Sequence, residues 1–257
     1  MMTAALAALE LDGRYLPLPV RPAAFAATVR ALPASGYRGA NVTIPHKREA
    51  LSVAASATDA ARAIGAANTL TFSGEGIHAH NTDAGGLLAA LPASPAGRRT
   101  LVLGAGGAGR AAAWALREAG AAEVSVWNRT AGRARELADE LGLTFAERPP
   151  PCDLLVNSTA VGLDPSVSED AALASLGLTG VDPPPVVVDL VYGARETPVA
   201  AWGRRGGAQV VDGLEVLVRQ GALSLECWTG EPAPLDAMRR GARGVQGVEA
   251  EPAPEGS

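Results

Sequence analysis

The chain has 257 residues, 47% hydrophobic and 19% charged, with a formal net charge of −5, a balance that gives a folded protein with one large or two modest cores. The acidic charge and the lack of basic clusters interleaved with aromatics exclude nucleic acid as the main partner. No apolar run reaches the roughly 18 residues of a membrane span, no secretory leader is visible, and the isolated Cys152 and Cys227 fit reduced thiols, so a soluble, cytoplasmic protein is expected.

Residues 3–11 predict a helix ended by Asp12-Gly13, followed by a short strand over residues 15–20. Pro22-Ala23-Ala24-Phe25 opens a second helix that closes near Gly36, and Gly39 to Ile44 read as a strand. Pro45 stops that strand and suits a helix start, so Lys47 should stand in the first turn after a strand's carboxyl end. Open α/β sheets bind ligands there. Ala67 to Phe72 and Ile77 to His80 predict a hairpin about Ser73-Gly74-Glu75-Gly76, with His78 and His80 on one face. Three histidines at these spacings make no metal site, so none is expected. Asn81-Thr82-Asp83 leads into a helix to about Leu91, and residues 92–99 form a polar connector.

Thr100 to Leu103 is a short buried strand, Gly104 to Gly109 a glycine loop, and Ala111 to Ala119 a helix stopped by Gly120. A strand over residues 123–127, a helix through Leu141, and strands over residues 153–156 and 186–190 continue the alternation. That is βαβ spacing and implies a parallel sheet. Residues 214–228 form one long apolar helix pattern expected to cross back to the first domain. The expected fold is therefore α/β with two domains. Residues 1–83 form a substrate domain, residues 84–213 a Rossmann-like dinucleotide domain, residues 214–243 returning helices, and residues 244–257 a disordered acidic tail rich in Pro, Glu and Gly.

Gly104-Ala105-Gly106-Gly107-Ala108-Gly109 fits G-x-G-x-x-G directly after a strand and opening a helix. As a bare pattern it could be a packing turn. In this context its glycines let backbone N–H groups and the helix N-terminus approach a pyrophosphate. At the end of the next strand an NAD site usually carries Asp or Glu, whereas this chain has Asn128-Arg129-Thr130, with Arg133 one helical step on. Two guanidiniums can hold a 2′-phosphate through charge-assisted hydrogen bonds, which favours NADP. Arg133 could equally belong to a solvated helix face.

Of 22 basic residues, Lys47 alone is not arginine. An ammonium can act as acid or base near neutral pH and a guanidinium cannot. Lys47 and Asp83 both follow predicted strands of the first domain. If those strand ends adjoin, the two form an ion pair able to exchange a proton with a hydroxyl or carbonyl. A surface salt bridge for Lys47 and a helix N-cap for Asp83 are the plainer alternatives.

Taken together, Asn41-Val42-Thr43-Ile44-Pro45-His46-Lys47, Gly65-Ala66-Ala67-Asn68-Thr69, Asn81-Thr82-Asp83, the glycine loop and Asn128-Arg129-Thr130 resemble the shikimate dehydrogenase family. Asp189-Leu190-Val191-Tyr192 and Asp212-Gly213-Leu214 followed by Gln220 extend the resemblance over nearly the whole chain. It implies NADP-dependent interconversion of 3-dehydroshikimate and shikimate in aromatic amino-acid biosynthesis. The alternatives are a quinate/shikimate dehydrogenase of broader range, or a catalytically impaired NADP-binding homologue.

By that resemblance Lys47 is the acid/base at the reacting oxygen and Asp83 its partner and a substrate ligand, while Thr43, Asn68, Tyr192 and Gln220 contact the ring substituents. Asp59, Gly104, Ala105, Gly106, Gly107, Ala108, Gly109, Asn128, Arg129, Thr130, Arg133, Leu190 and Gly213 would lie along the cofactor. A homodimer is compatible with the resemblance. The family opens with a strand and G-x-P-x-x-H-S-x-S-P, whose serines bind the substrate carboxylate, whereas this sequence opens at Met1-Met2-Thr3 within the helix that should follow. A start set too far downstream is the expectation, with weak activity in the chain as written.

NADP should bind more tightly than NAD, and Arg129→Asp should weaken NADP binding by removing a charge-assisted contact and adding repulsion. Titrating both nucleotides into both proteins checks this; equal affinities in the unmodified chain would refute it.

Overall fold

The computed structural model describes residues 1–193 and 195–245. Helix α1 (Met2–Ala8) comes first, and a 3₁₀ turn at Pro22–Ala24 feeds α2 (Phe25–Ala31). Strand β1 (Gly39–Asn41), α3 (Lys47–Val53), β2 (Ser56–Ala57), α4 (Asp59–Ile64), β3 (Thr69–Ser73) and β4 (Gly76–His80) follow. These strands make a sheet in the order β1-β3-β4-β2, with β3 antiparallel to β1 and to β4, and β2 parallel to β4. Phe25, Val29, Val42, Ala50, Leu70 and Ile77 close its core.

Helix α5 (Thr82–Ala90) leads to β5 (Arg99–Leu103), α6 (Gly107–Glu118), β6 (Glu123–Trp127), α7 (Ala131–Leu141), β7 (Thr144–Phe145) and β8 (Leu154–Asn157). Then come α8 (Glu169–Ser175), β9 (Val186–Asp189), α9 (Pro198–Arg205) and β10 (Gln209–Val211). This sheet is wholly parallel in the order β10-β9-β8-β5-β6-β7. A parallel sheet must be covered on both faces, and alternation along the strands supplies both. Val102, Val126, Leu154, Val156 and Val188 pack with Leu116 of α6 and Leu137 of α7. The intervening Leu101, Leu103, Leu155 and Val187 pack with Leu173 of α8 and Trp202 of α9.

Helix α10 (Gly213–Thr229) runs from the second sheet back to the first, where the Trp228 Nε1 donates to the Leu70 carbonyl at 2.9 Å. Its other side meets α1 and α11 (Leu235–Val245) through Val218, Ala222, Leu225, Met2, Ala5 and Met238. Most of the acidic tail lies outside the described residues, and Gly244 belongs to the last turn of α11.

The expected strand over residues 15–20 is not formed. A strand exists only as part of a ladder, and β1 pairs with β3 alone. Between β1's other edge and this extended segment lies a groove of about 640 Å³, which leaves Leu16 and Leu18 52% and 45% exposed. Side chains tie the segment at its ends: the Tyr15 hydroxyl donates to Asn41 Oδ1 at 2.9 Å, and His46 Nε2 lies 3.0 Å from the Val20 carbonyl.

Glu215 of α10 accepts from Arg219 at 2.7 Å and from Arg239 of α11 at 2.8 Å and 3.0 Å. Those donors, Arg239 first, hold its carboxyl down at about 2 against an ordinary 4.5. A depressed carboxylate stabilises the fold above its unfolded value and loses that contribution as pH falls through its folded one. Between pH 4.5 and about 2, the wild-type melting temperature should therefore fall more steeply than that of Glu215→Gln. Parallel slopes in thermal scans across that window would show that the cluster contributes nothing to acid stability.

Candidate active site

Cis-Pro45 turns the chain out of β1 into α3 and sets Lys47 in the first turn of that helix. Asp83 stands in the first turn of α5, directly after β4; the N-cap is Asn81, whose Oδ1 accepts from the Ala84 amide at 3.3 Å. Capping is therefore not the task of Asp83. The ends of β1 and β4 do not adjoin, since the start of β3 lies between them at the same edge of the sheet, yet Lys47 Nζ reaches across and donates to Asp83 Oδ2 at 2.7 Å with side chains 15% and 19% exposed. This pair is substantially shielded from water, unlike a surface salt bridge.

The other Asp83 oxygen accepts from Asn68 Nδ2 at 2.8 Å. Asn68, at the start of β3, is fixed in turn: its Oδ1 accepts from the Thr82 amide at 2.7 Å, and its Nδ2 also reaches Gln220 Oε1 at 3.1 Å. Behind it Thr69, Thr82, Ser224 and Asn41 share hydroxyl and amide hydrogen bonds of 2.8 to 3.2 Å. Every buried side-chain polar atom among the described residues has a partner, as a polar cluster in a low-dielectric setting requires.

A cavity of about 650 Å³ opens in front of the pair, between the two sheets. Thr43, Lys47, Asn68, Asp83, Ala108, Leu190, Tyr192, Gly213 and Gln220 line it, so it collects expected substrate residues together with part of the nucleotide set. Tyr15, Asn41, Leu87, Val216 and residues 1–3 also line it and were not anticipated. Ser224 was missed as well, although it follows Gln220 by one helical turn and so shares its face.

The glycine loop joins β5 to α6, with Gly106 as the N-cap residue. Beyond the position of a Gly106 Cβ the space is open, whereas a Cβ on Gly109 would collide with the Gly104 carbonyl oxygen. One glycine thus leaves room for a ligand backbone at a twelve-residue helix N-terminus, and the other lets helix and strand close. Asn128 is half-buried at the end of β6, and Arg129, Thr130 and Arg133 are exposed around the start of α7. No carboxylate occupies the end of that strand. These residues fit a dinucleotide with a 2′-phosphate, although they lie beyond the cavity lining. Asp59 does not line the cavity: it begins α4, is 99% exposed and pairs with Arg62.

Buried Asp189 ends β9. Its carboxylate accepts from Asn157 at 2.8 Å, the Val191 amide at 3.1 Å and Thr197 at 2.5 Å. Burial raises its pKa, and those three donors oppose the rise. The network anchors the turn that carries Leu190 and Tyr192 to the cavity.

Three family models match the chain: "Shikimate dehydrogenase substrate binding domain" over residues 1–70, "Shikimate / quinate 5-dehydrogenase" over residues 89–150, and "Shikimate 5'-dehydrogenase C-terminal domain" over residues 213–242. The shikimate dehydrogenase (NADP(+)) of Geobacter metallireducens is 39% identical, over 93% of this chain and 89% of its own. That of Acidiphilium cryptum is 43% identical, over 90% and 85%. Among solved structures, shikimate 5-dehydrogenase from Thermus thermophilus, in complex with NADP(H) and shikimate, superposes with a TM-score of 0.82 at 38% identity, covering 95% of this chain and 92% of that one.

The approach of α10 to α5 sets the position of Gln220. A Cβ on Gly86 would lie 2.6 Å from the Gln220 backbone nitrogen. Gly86→Ala should push α10 away, costing about 1–3 kcal/mol of stability and raising KM for the ring substrate more than that for the nucleotide. Melting curves and steady-state kinetics check this; unchanged values for both would show that the helices can separate freely.

Proposed function

This chain belongs to the shikimate dehydrogenase family, and from that premise we infer that it is an NADP-dependent oxidoreductase interconverting 3-dehydroshikimate and shikimate. The observation that carries the site assignment is the Lys47–Asp83 pair at 2.7 Å, facing a cavity shared by the two sheets. NADPH, when bound, supplies the hydride from its nicotinamide C4. Everything else is orientation and proton handling by the protein.

Lys47 acts at the reacting oxygen. In the direction of reduction its ammonium donates a proton to the carbonyl oxygen as that oxygen gains charge; in oxidation the free amine takes the hydroxyl proton. Asp83, held by Asn68 on one oxygen and Lys47 on the other, keeps the amine aimed into the cavity and can accept from a neighbouring ring hydroxyl. Asn68, Gln220, Thr43 and Tyr192 suit a polyhydroxylated ring, because each presents an uncharged donor or acceptor to the same cavity. The walls of Leu87, Ala112, Leu190 and Val216 exclude water from the proton-transfer path.

On the nucleotide side, the backbone amides at the start of α6 receive the pyrophosphate. Arg129 and Arg133 flank the 2′-phosphate, with Asn128 and Thr130 beside them. Asp59 begins α4, which packs against α6, and is kept along the cofactor on the strength of the family resemblance. We also place the enzyme in the cytosol, since both cysteines carry free thiols and among the described residues no helix is long and apolar enough to cross a membrane.

Lys47→Ala should lower kcat by about 10²- to 10⁴-fold while the Kd for NADP changes little, because the amine acts on the other ligand. Shikimate oxidation followed by NADPH absorbance, beside calorimetric titration of NADP, separates the two. Near-normal turnover in this variant would remove Lys47 from the mechanism.

A further inference from the structure

Outside the cavity, charged side chains from both halves of the molecule meet at Glu140. Its Oε2 lies 2.5 Å from Arg110 Nη2 and its Oε1 4.0 Å from Arg48 Nη2. Arg48 follows Lys47 in α3, beside the first sheet, whereas Arg110 stands one residue past the glycine loop in α6. The Arg110 guanidinium is buried, and its Nε donates at 2.7 Å to the carbonyl of Ile64, the last residue of α4. Helix-end carbonyls lack partners within their own helix, so this bond fastens the nucleotide helix to the substrate half. Glu140 itself sits in the last turn of α7, where the helix dipole disfavours a carboxylate; the two guanidiniums offset that cost.

We propose that Glu140 is a positioning residue for hydride transfer, fixing the spacing between the halves by pairing closely with Arg110 through one oxygen and attracting Arg48, 4.0 Å from the other. The inference rests on the reading above, in which the ring substrate is held mainly by the first half, with Tyr192 and Gln220 added from later elements, and the nucleotide by the second, the two reacting across the cleft. Most of each ligand's affinity is then set within one half. The transfer rate depends on how the halves are registered, and an ångström of misplacement between reacting atoms is costly. The buried Arg110 contact provides the anchor. The exposed Arg48 contact is weak by itself, but Arg48 adjoins Lys47, so a shift at one moves the other.

The test uses the full chain with Glu140→Gln, which keeps the size of the side chain while removing the charge that attracts both guanidiniums. Single-turnover hydride transfer should slow about tenfold, with Kd for NADP and for shikimate, measured separately by calorimetry, each within about twofold of wild type. Should Glu140→Gln melt too low to assay, Arg48→Glu decides. That residue is 66% exposed at its side chain, so its replacement leaves folding intact, and its repulsion of Glu140 should slow transfer in a way that added salt relieves. Transfer at the wild-type rate in the assayed variant overturns the proposal, as does a loss that follows weakened ligand binding in proportion.

If wild type itself does not turn over shikimate, the functional reading fails, and the spacing is decided without catalysis. Spin labels at Ser52 and Glu136, one in each half, in a Cys152→Ser, Cys227→Ser background, should show a broader distance distribution when Glu140→Gln is added. An unchanged distribution overturns the proposal.

Discussion

The structure depends on how closely α10 can approach α5. Gly86 presents no side chain there, and the backbone of Gln220 occupies the space a Cβ would take. Helix α10 begins at the carboxyl edge of the parallel sheet and ends against β3 of the other, so this contact helps to set how the halves meet. It also completes the polar cluster, because Gln220 and Ser224 reach Asn68, Thr69 and Thr82 only at this separation. A larger residue at position 86 would disturb the core and the chemistry through the same displacement.

The polar cluster explains why an ion pair can be kept half out of water. Removing Lys47 and Asp83 from solvent carries a desolvation cost that a bare pair recovers poorly. Here Asp83 has a second donor in Asn68, Asn68 is held by the Thr82 amide, and Thr82 opens the helix that bears Asp83. The loop of interactions closes on itself, so the amine is held in one geometry before substrate arrives. Asp189 achieves comparable fixity on the nucleotide side without a cation, through three donors on a buried carboxylate.

Much of this was legible in the chain. The alternating short apolar strands and helices from Thr100 onward demand a parallel sheet covered on two faces, and G-x-G-x-x-G after such a strand has few other uses. Pro45 ends the extended run, and Lys47 opens the helix directly after the N-cap residue His46. The hairpin over residues 69–80 and the long helix α10 were equally readable, since turn chemistry and helical periodicity are local properties. Residues 15–20 misled for the same reason: Tyr15, the two leucines and Val20 suggest a short apolar strand, but Pro17 and Pro19 lack the N–H groups a ladder needs and no partner edge pairs with the segment.

What the sequence by itself determined is the set of chemical groups and the local element that carries each: an ammonium at a helix start, a carboxylate after a strand, a glycine cradle and two arginines where a carboxylate usually stands. Only the tertiary structure decided which groups meet. Asn41, Thr69 and Ser224 are ordinary polar residues until three separate elements bring them within hydrogen-bonding distance, and Glu140 is one more surface acid until arginines from both halves converge on it. Propensity acts over a few neighbours along the chain. Convergence of side chains far apart in sequence is set by helix packing and domain apposition, which no local pattern encodes.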